Sequence, residues 1–206
     1  MGLQKVELRR KLAPMKEGAA IFLGNEKKTF MMHIGHNEAG ALIREFQNQK
    51  FVRPLPHDLF HYALLGFDVE VKHVIISGIN ENTFYATLVM EQKVKNAKDE
   101  WTGKRNEVRI DARPSDSIIM AVKANAEIYV ADEVLEGVHD VSEELKSMPL
   151  LNFDAAGPTP DLESLQFDDM DLELPDTETD ADPDAKPPLE EEPGTPDTPG
   201  DNTTDA

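Results

Sequence analysis

The stretch from Val108 to Val130, VRIDARPSDSIIMAVKANAEIYV, decides how the chain is to be read. An apolar strand-like run ends near Ala112, an apolar helix-like run follows from Pro114, and EIYVA returns to strand character. At the junction stand two carboxylates and a guanidinium: Asp111, Arg113 and Asp116. Pro114 suits the first helical position, where a missing N–H costs nothing. Asp116 falls in the first turn, where a carboxylate stabilises a helix by about 0.3–1 kcal/mol through the helix dipole and the unpaired N–H groups. Asn125 is suited to end the helix in a left-handed turn. These residues have sufficient structural reasons. Asp111, at the end of a strand, and Arg113 do not.

Two readings of that corner stay open on spacing alone. In one, Arg113 pairs with Asp111 or Asp116, and a bidentate ion pair fixes the strand-to-helix turn. In the other, Asp111 and Asp116 together hold Mg²⁺ or Mn²⁺, which favour oxygen ligands. The metal would polarise a phosphodiester or activate water, and Arg113 would neutralise charge on the phosphoryl group.

Outward from the corner, the apolar period switches repeatedly between strand and helix values. VELRRKLA and AAIFLG alternate, and TFMMHIG follows the turn signal GNEKK. HNEAGALIREFQNQK carries Ala39, Leu42, Ile43 and Phe46 at helical spacing, with Asn37 as its N-cap. PHDLFHYALLGF is a second helix, ended by Gly66. VEVKHVIISGI and TFYATLVMEQKV flank a hairpin signal, and a polar loop around KNAKDEWTGKRN leads into EVRID. After EIYVA come a short helix, DEVLEG, and a marginal one, HDVSEELKSM. Strand, strand, strand and helix thus occur twice in the same order, with Glu38 and Asp116 each in the first turn of the helix that follows. This pattern predicts an internally duplicated α+β domain, with helices packed on mainly antiparallel sheet.

Composition sets the frame. Of the net charge of -19, residues 151–206 carry -17, from one Lys against 18 Asp or Glu. Residues 1–150 are therefore nearly neutral at -2, with 20 Lys or Arg against 22 Asp or Glu. The expected division is a domain at 1–150 and an acidic, Pro-rich, disordered tail at 151–206. Within the tail, LESLQFDDMDLEL at 162–174 interleaves acids with apolar residues, a pattern that can dock on a protein partner or back on its own domain. Truncation ahead of residue 158 is expected to leave the thermal midpoint unchanged within a few degrees, which differential scanning calorimetry would check. The absence of cysteine excludes a disulfide framework, a thiolate metal site and a cysteine nucleophile. With no apolar signal at the N-terminus and no membrane-length apolar run, the expectation is a cytoplasmic protein off the membrane.

A second constellation is HDLFH, which places His57 and His61 on one helical face with Asp58 beside them. Without the glutamate of the zinc-protease motif, that enzyme class is rejected. His57 or Asp58 can equally cap the helix after Pro56. A nucleic-acid footprint is sought in the basic residues Arg9 to Lys11 and in a loop cluster of Lys93, Lys95, Lys98, Lys104 and Arg105 with Trp101 among them. The cluster reads equally as a solvated hairpin tip.

DARPSD followed by an apolar helix and EIYVADEVL resembles the bifunctional nuclease domain family. HIGHNEA and RPLPHDLFHYAL match further segments of that family in order, and the resemblance runs from about Val6 to Leu135. It implies an α+β fold with internal duplication, often oligomeric, and nuclease activity on DNA and RNA. It raises His57 and Asp58, which lie inside its motif, above His61, which does not. On this reading Asp111, Asp116, Asp58 and Glu38 are candidate metal ligands or bases, His57 a general acid or base, and Arg113 a stabiliser of phosphoryl charge. The alternative is a non-enzymatic oligomeric binding or regulatory module, with structural charges and a tail that recruits a partner.

Overall fold

The computed structural model describes residues 2–49, 52–81, 83–98, 100–148 and 150–152. The acidic segment from Asp154 onward, with Leu162 to Leu174 inside it, lies outside the described residues.

Alternation in the first third of the chain produces a meander of β1 (Leu3–Met15), β2 (Gly18–Gly24) and β3 (Thr29–Ile34), each strand antiparallel to the next. Helix α1 (His36–Phe46) follows, and helix α2 (Pro56–Gly66) stands between the two halves. A second meander of β4 (Val69–Asn80), β5 (Thr83–Lys95) and β6 (Trp101–Ala112) leads into helix α3 (Pro114–Ala124). Strand β7 (Glu127–Ala131), helix α4 (Asp132–Gly137), a 3-10 turn at Glu144–Lys146 and strand β8 (Leu151–Asn152) complete it. The sheet order is β3-β2-β1-β7-β4-β5-β6, with β8 beside β1. β7 is antiparallel to β1 and parallel to β4, so the two meanders spread outward from it in opposite senses. The fold is α+β on a mostly antiparallel sheet, as the sequence predicts, and the repeated strand-strand-strand-helix order is present in its topology.

One face of the sheet carries the main core. Val74 and Ile76 of β4, Ala86, Leu88 and Met90 of β5, and Ile21 and Leu23 of β2 meet Leu42, Ile43 and Phe46 of α1 and Ile118, Ile119 and Met120 of α3. β2 is buried along its whole length because its other face, with Ala20 and Phe22, is covered by Val141, Leu145, Met148 and Leu150. The marginal C-terminal helix is thus a 3-10 turn that closes a second, smaller core.

Two local expectations differ. The N-cap of α1 is Gly35 rather than Asn37, which lies within the first turn. A Cβ at position 35 would lie 2.6 Å from Glu38 Oε2, so glycine leaves room for that carboxylate to fold over the helix start. The polar loop shrinks to residues 96–100, because β5 continues to Lys95 and β6 begins at Trp101. Asn96 organises the remaining turn: its Oδ1 accepts the backbone N–H groups of Lys98 at 2.9 Å and Glu100 at 3.0 Å. This end of the hairpin extends past the core with both faces exposed, so it has no apolar period by which to be recognised.

Candidate functional site

The starts of α1, α2 and α3 meet at one corner of the helical layer, and their charges connect in two tiers. In the first, Arg113, the N-cap of α3, donates through Nε to Asp116 Oδ2 at 2.8 Å. A terminal guanidinium nitrogen lies 3.3 Å from Asp116 Oδ1 and 2.8 Å from Glu38 Oε1 of α1. His57 of α2 closes the tier, with Nε2 3.0 Å from Asp116 Oδ1. Burial acts to raise the Asp116 carboxyl, but the hydrogen bonds from Arg113 and His57 outweigh it and hold the group below the ordinary carboxylate range. Asp116 is therefore an acceptor, which fixes the hydrogen of neutral His57 on Nε2 and leaves the lone pair on Nδ1.

The second tier lies two turns further along α1 and α3. Lys123 donates to Asp58 Oδ1 at 2.6 Å and to Glu45 Oε1 at 2.5 Å. The other oxygen of Asp58 accepts the backbone N–H of Leu55, the N-cap of α2, at 2.8 Å. Burial again acts to raise Asp58, and Lys123 and the Leu55 N–H together bring it below the ordinary value. Asp58 thus caps the start of α2 with one oxygen and ties α2 to α3 with the other. Glu45 and Lys123 were not among the residues the sequence singled out. The signal was their spacing: each stands seven residues, nearly two whole turns, after Glu38 and Asp116 respectively, so each pair shares a helix face.

Asp111 does not join this corner. Along β6, Val108 and Ile110 stand opposite Met90 and Leu88, which belong to the main core; Asp111 alternates with them and stands opposite Thr87. Its side chain therefore projects from the sheet face turned away from the helices. Of the paired carboxylates expected at the strand-to-helix turn, only Asp116 reaches Arg113. His61 is half-buried beside the ring of Tyr62 and takes no part in either tier.

The basic cluster at the hairpin is largely neutralised. Lys93 pairs with Glu70 at 2.8 Å, Lys95 with Asp68 at 2.5 Å, and Arg105 with Glu70 and Glu91 at 3.3 Å each. Lys98 and Lys104 form no ion pair among the described residues, and Trp101 is 57% exposed at the start of β6.

A divalent cation does not fit the corner as it stands. Among the described residues no group of three or more His, Asp or Glu side chains is arranged to hold a metal ion. Both Asp116 oxygens and one Glu38 oxygen face a guanidinium, and both Asp58 oxygens are taken. The crevice beside His57, bounded by Glu45, Leu55, Asp58 and Ile119, is about 20 Å³, space for one water rather than a nucleotide. Arg113, by contrast, is two-thirds exposed, and its open side is available to an anion.

Residues 21–142 match the bifunctional nuclease domain as a family. The chain belongs to the bifunctional nuclease domain family. The match spans both meanders from β2 onward and takes in α1, α2 and α3, so every side chain of the two tiers lies inside the bifunctional nuclease domain. Two curated proteins of Mycobacterium tuberculosis are similar to it: the uncharacterized protein Rv1829 of strain H37Rv and the uncharacterized protein MT1877 of strain CDC 1551. Each is 34% identical over 102 residues, which is 50% of this chain and 54% of the relative. The alignment thus spans about half the length of the curated relatives. Among the described residues no helix is long and apolar enough to cross a membrane.

Proposed function

We propose that this nuclease-family domain cleaves phosphodiester bonds of DNA and RNA at the exposed corner formed by His57, Asp116 and Arg113. The observation that carries the reading is the hydrogen-bonded chain Glu38–Arg113–Asp116–His57 at the meeting point of three helices. Arg113 is charged at any accessible pH and offers its exposed side to a phosphate. His57 takes a proton at Nδ1 from the attacking water, or from the ribose 2′-hydroxyl of RNA, as the new P–O bond forms. Asp116 orients the ring and stabilises the imidazolium that results. The same imidazolium returns its proton to the leaving oxygen as the old P–O bond breaks. Glu38 holds Arg113 from the far side. Mg²⁺ or Mn²⁺ would have to displace Arg113 from Glu38 and Asp116, and no step here is assigned to it.

A second reading is favoured by the pairing itself: Asp58, Glu38 and Asp116 each face a cation, as a clamp between helices in a non-enzymatic binding module would require. The two readings separate in one assay of highly purified protein on single-stranded DNA and RNA, with EDTA and with Mg²⁺ or Mn²⁺. On the nuclease reading Asp116→Asn lowers cleavage by at least about tenfold while Asp111→Asn, on the other sheet face, leaves it unchanged. Equal loss in both variants would return the site to the Asp111–Asp116 carboxylate pair. No cleavage by the unaltered protein would support the binding module, and cleavage unchanged in both variants would overturn the assignment of the reaction to this corner.

A further inference from the structure

Strand β1 changes neighbours along its length. One edge lies against β7 from Leu3 to Val6 and against β8 at Lys11 and Leu12. Residues 7–10 therefore have no strand beside them on that edge among the described residues. On the other edge β1 bulges: residues 9–11 stand against Phe22 alone, between the Leu8–Leu23 and Leu12–Ile21 pairs. A bulge interrupts the ladder and re-aims the side chains it carries. Beside this one lies a groove of about 650 Å³, within the size range of ligand sites. Leu8 and Leu145, each half-buried against one of the two cores, give it apolar walls. Arg9, Lys11 and Lys146 line it as cations, Glu7 and Glu26 as carboxylates. The carboxylates belong to the end beside the turn between β2 and β3, where Glu7 stands opposite Gly24. Lys11, about 13 Å further along the strand, marks the end beside β8. The cations are available to a ligand. Lys11 forms no ion pair among the described residues. Arg9 lies 3.5 Å from Glu7 and Lys146 lies 2.7 Å from Glu143, but these two carboxylates are 75% and 83% exposed. Ion pairs this exposed contribute little, so exchanging their partners costs little.

What fits such a groove is a stretch of chain that is both apolar and acidic, and the protein carries one. β8 runs antiparallel to β1, with Leu151 opposite Leu12 and Asn152 opposite Lys11. At Asn152 the backbone is therefore directed from Lys11 towards Arg9, along the groove. Further on, Leu162 to Leu174 holds five carboxylates and no Lys or Arg, interleaved with apolar residues that include Leu165, Phe167 and Met170. The nine residues between Asn152 and Leu162 reach about 30 Å at most, more than twice the distance from Glu7 to Lys11. Gly157, Pro158 and Pro160 among them suit a reversal of the chain. A tether this short gives an effective concentration of about millimolar, so a contact that is weak between separate molecules is populated within one. We propose that Leu162 to Leu174 docks in this groove of its own chain, with Leu165 and Phe167 against Leu8 and Leu145 and its carboxylates on Arg9, Lys11 and Lys146. The inference is independent of the nuclease reading. Thr29, at the start of β3, lines the groove, whereas the corner with His57 and Arg113 lies beyond Ile34, at the end of that strand.

The absence of cysteine makes a direct test possible, since Ser164→Cys takes a nitroxide at a single place in the full chain. The backbone amide signals of Leu8, Thr29 and Leu145 are expected to lose about half their intensity or more to the nitroxide. Those of Leu59 and Leu65, on the exposed apolar side of α2, should keep theirs. Lys11→Glu/Lys146→Glu should restore most of the lost signal, and so should Phe167→Ser; the same spectra show whether each variant is folded. Raising the salt from about 0.05 M to about 0.5 M should weaken the effect, because it screens the charge contacts. Broadening indifferent to both variants would mean only that the tether keeps the segment nearby, and would overturn the proposal. Broadening centred on α2 would overturn it as well. So would broadening that appears when isotope-labelled chains without nitroxide are mixed with nitroxide-bearing chains, since the segment would then sit on a second copy. Groove signals untouched by the nitroxide but shifted by an added single-stranded DNA oligonucleotide would give the groove to a nucleic-acid strand instead.

Discussion

His57→Ala is expected to lower phosphodiester cleavage by about 10² to 10⁴-fold, the range that a positioned general base contributes. The loss should fall on the catalytic constant rather than on substrate affinity, because Arg113 remains to meet the phosphate. The pH–rate profile gives a second readout. His57 must be neutral to accept a proton, so cleavage by the unaltered protein should fall in acid, and the variant should lose that limb. Asp116 contributes no limb above the ordinary carboxylate range. Its carboxyl is held below the ordinary value despite burial, by Arg113 and His57, so it is ionised throughout. Residual cleavage in the variant with an unchanged profile would mean that His57 is only a helix-start residue paired to Asp116. The reading of His57 as base would then be abandoned.

The fold was legible where burial on one face imposed a period. The helices carrying Leu42, Ile43 and Phe46, and Ile118 to Ala121, could be placed because their apolar residues face one core. The duplication could be seen because both meanders lead into such a helix. The hairpin beyond Lys93 could not, since its strands leave the core and are held by backbone pairing and by bonds such as Thr102 to the Val94 carbonyl at 2.7 Å. β2 looked half-exposed because the residues that cover its second face, Val141 to Leu150, are more than a hundred positions away.

At the corner, residue types were legible and directions were not. Asp111 and Asp116 stand five positions apart in the sequence and read there as one carboxylate pair. A strand's alternation sends the first to the open face, and the helix turn sends the second to the helical layer. Glu38, assigned through a matching position in the first half of the duplication, does reach Arg113, at 2.8 Å. Lys123 escaped notice because a lysine in the last turn of a helix has an adequate reason in the helix dipole alone. Only tertiary contact shows that it is 12% exposed between two carboxylates.

That position gives Lys123→Met the largest expected effect on stability. Methionine keeps the length of the side chain and removes the charge, leaving Asp58 and Glu45 facing one another without a cation. Breaking a fully buried pair costs about 3–5 kcal/mol. Here the two carboxylates are 24% and 25% exposed, so water takes up part of the loss, and about 2 kcal/mol is expected. The pH dependence identifies the source. Burial alone would lower the Lys123 pKa, but Asp58 and Glu45 raise it above the ordinary value. Its contribution is then complete below about 10.4, the unfolded value, and is lost as pH rises through the folded one. Asp58, shifted down, contributes fully above about 3.9 and loses that contribution as pH falls through its folded value. Urea denaturation should therefore show a constant gap between unaltered protein and variant from about pH 5 to 9, closing at both extremes. Glu45→Leu added to Lys123→Met should narrow the gap, since it removes one stranded carboxylate from the apolar side of α1. A gap that is absent at neutral pH, or that does not close in acid and alkali, would show that α2 is held to α3 by Leu64 and its apolar neighbours rather than by this charge tier.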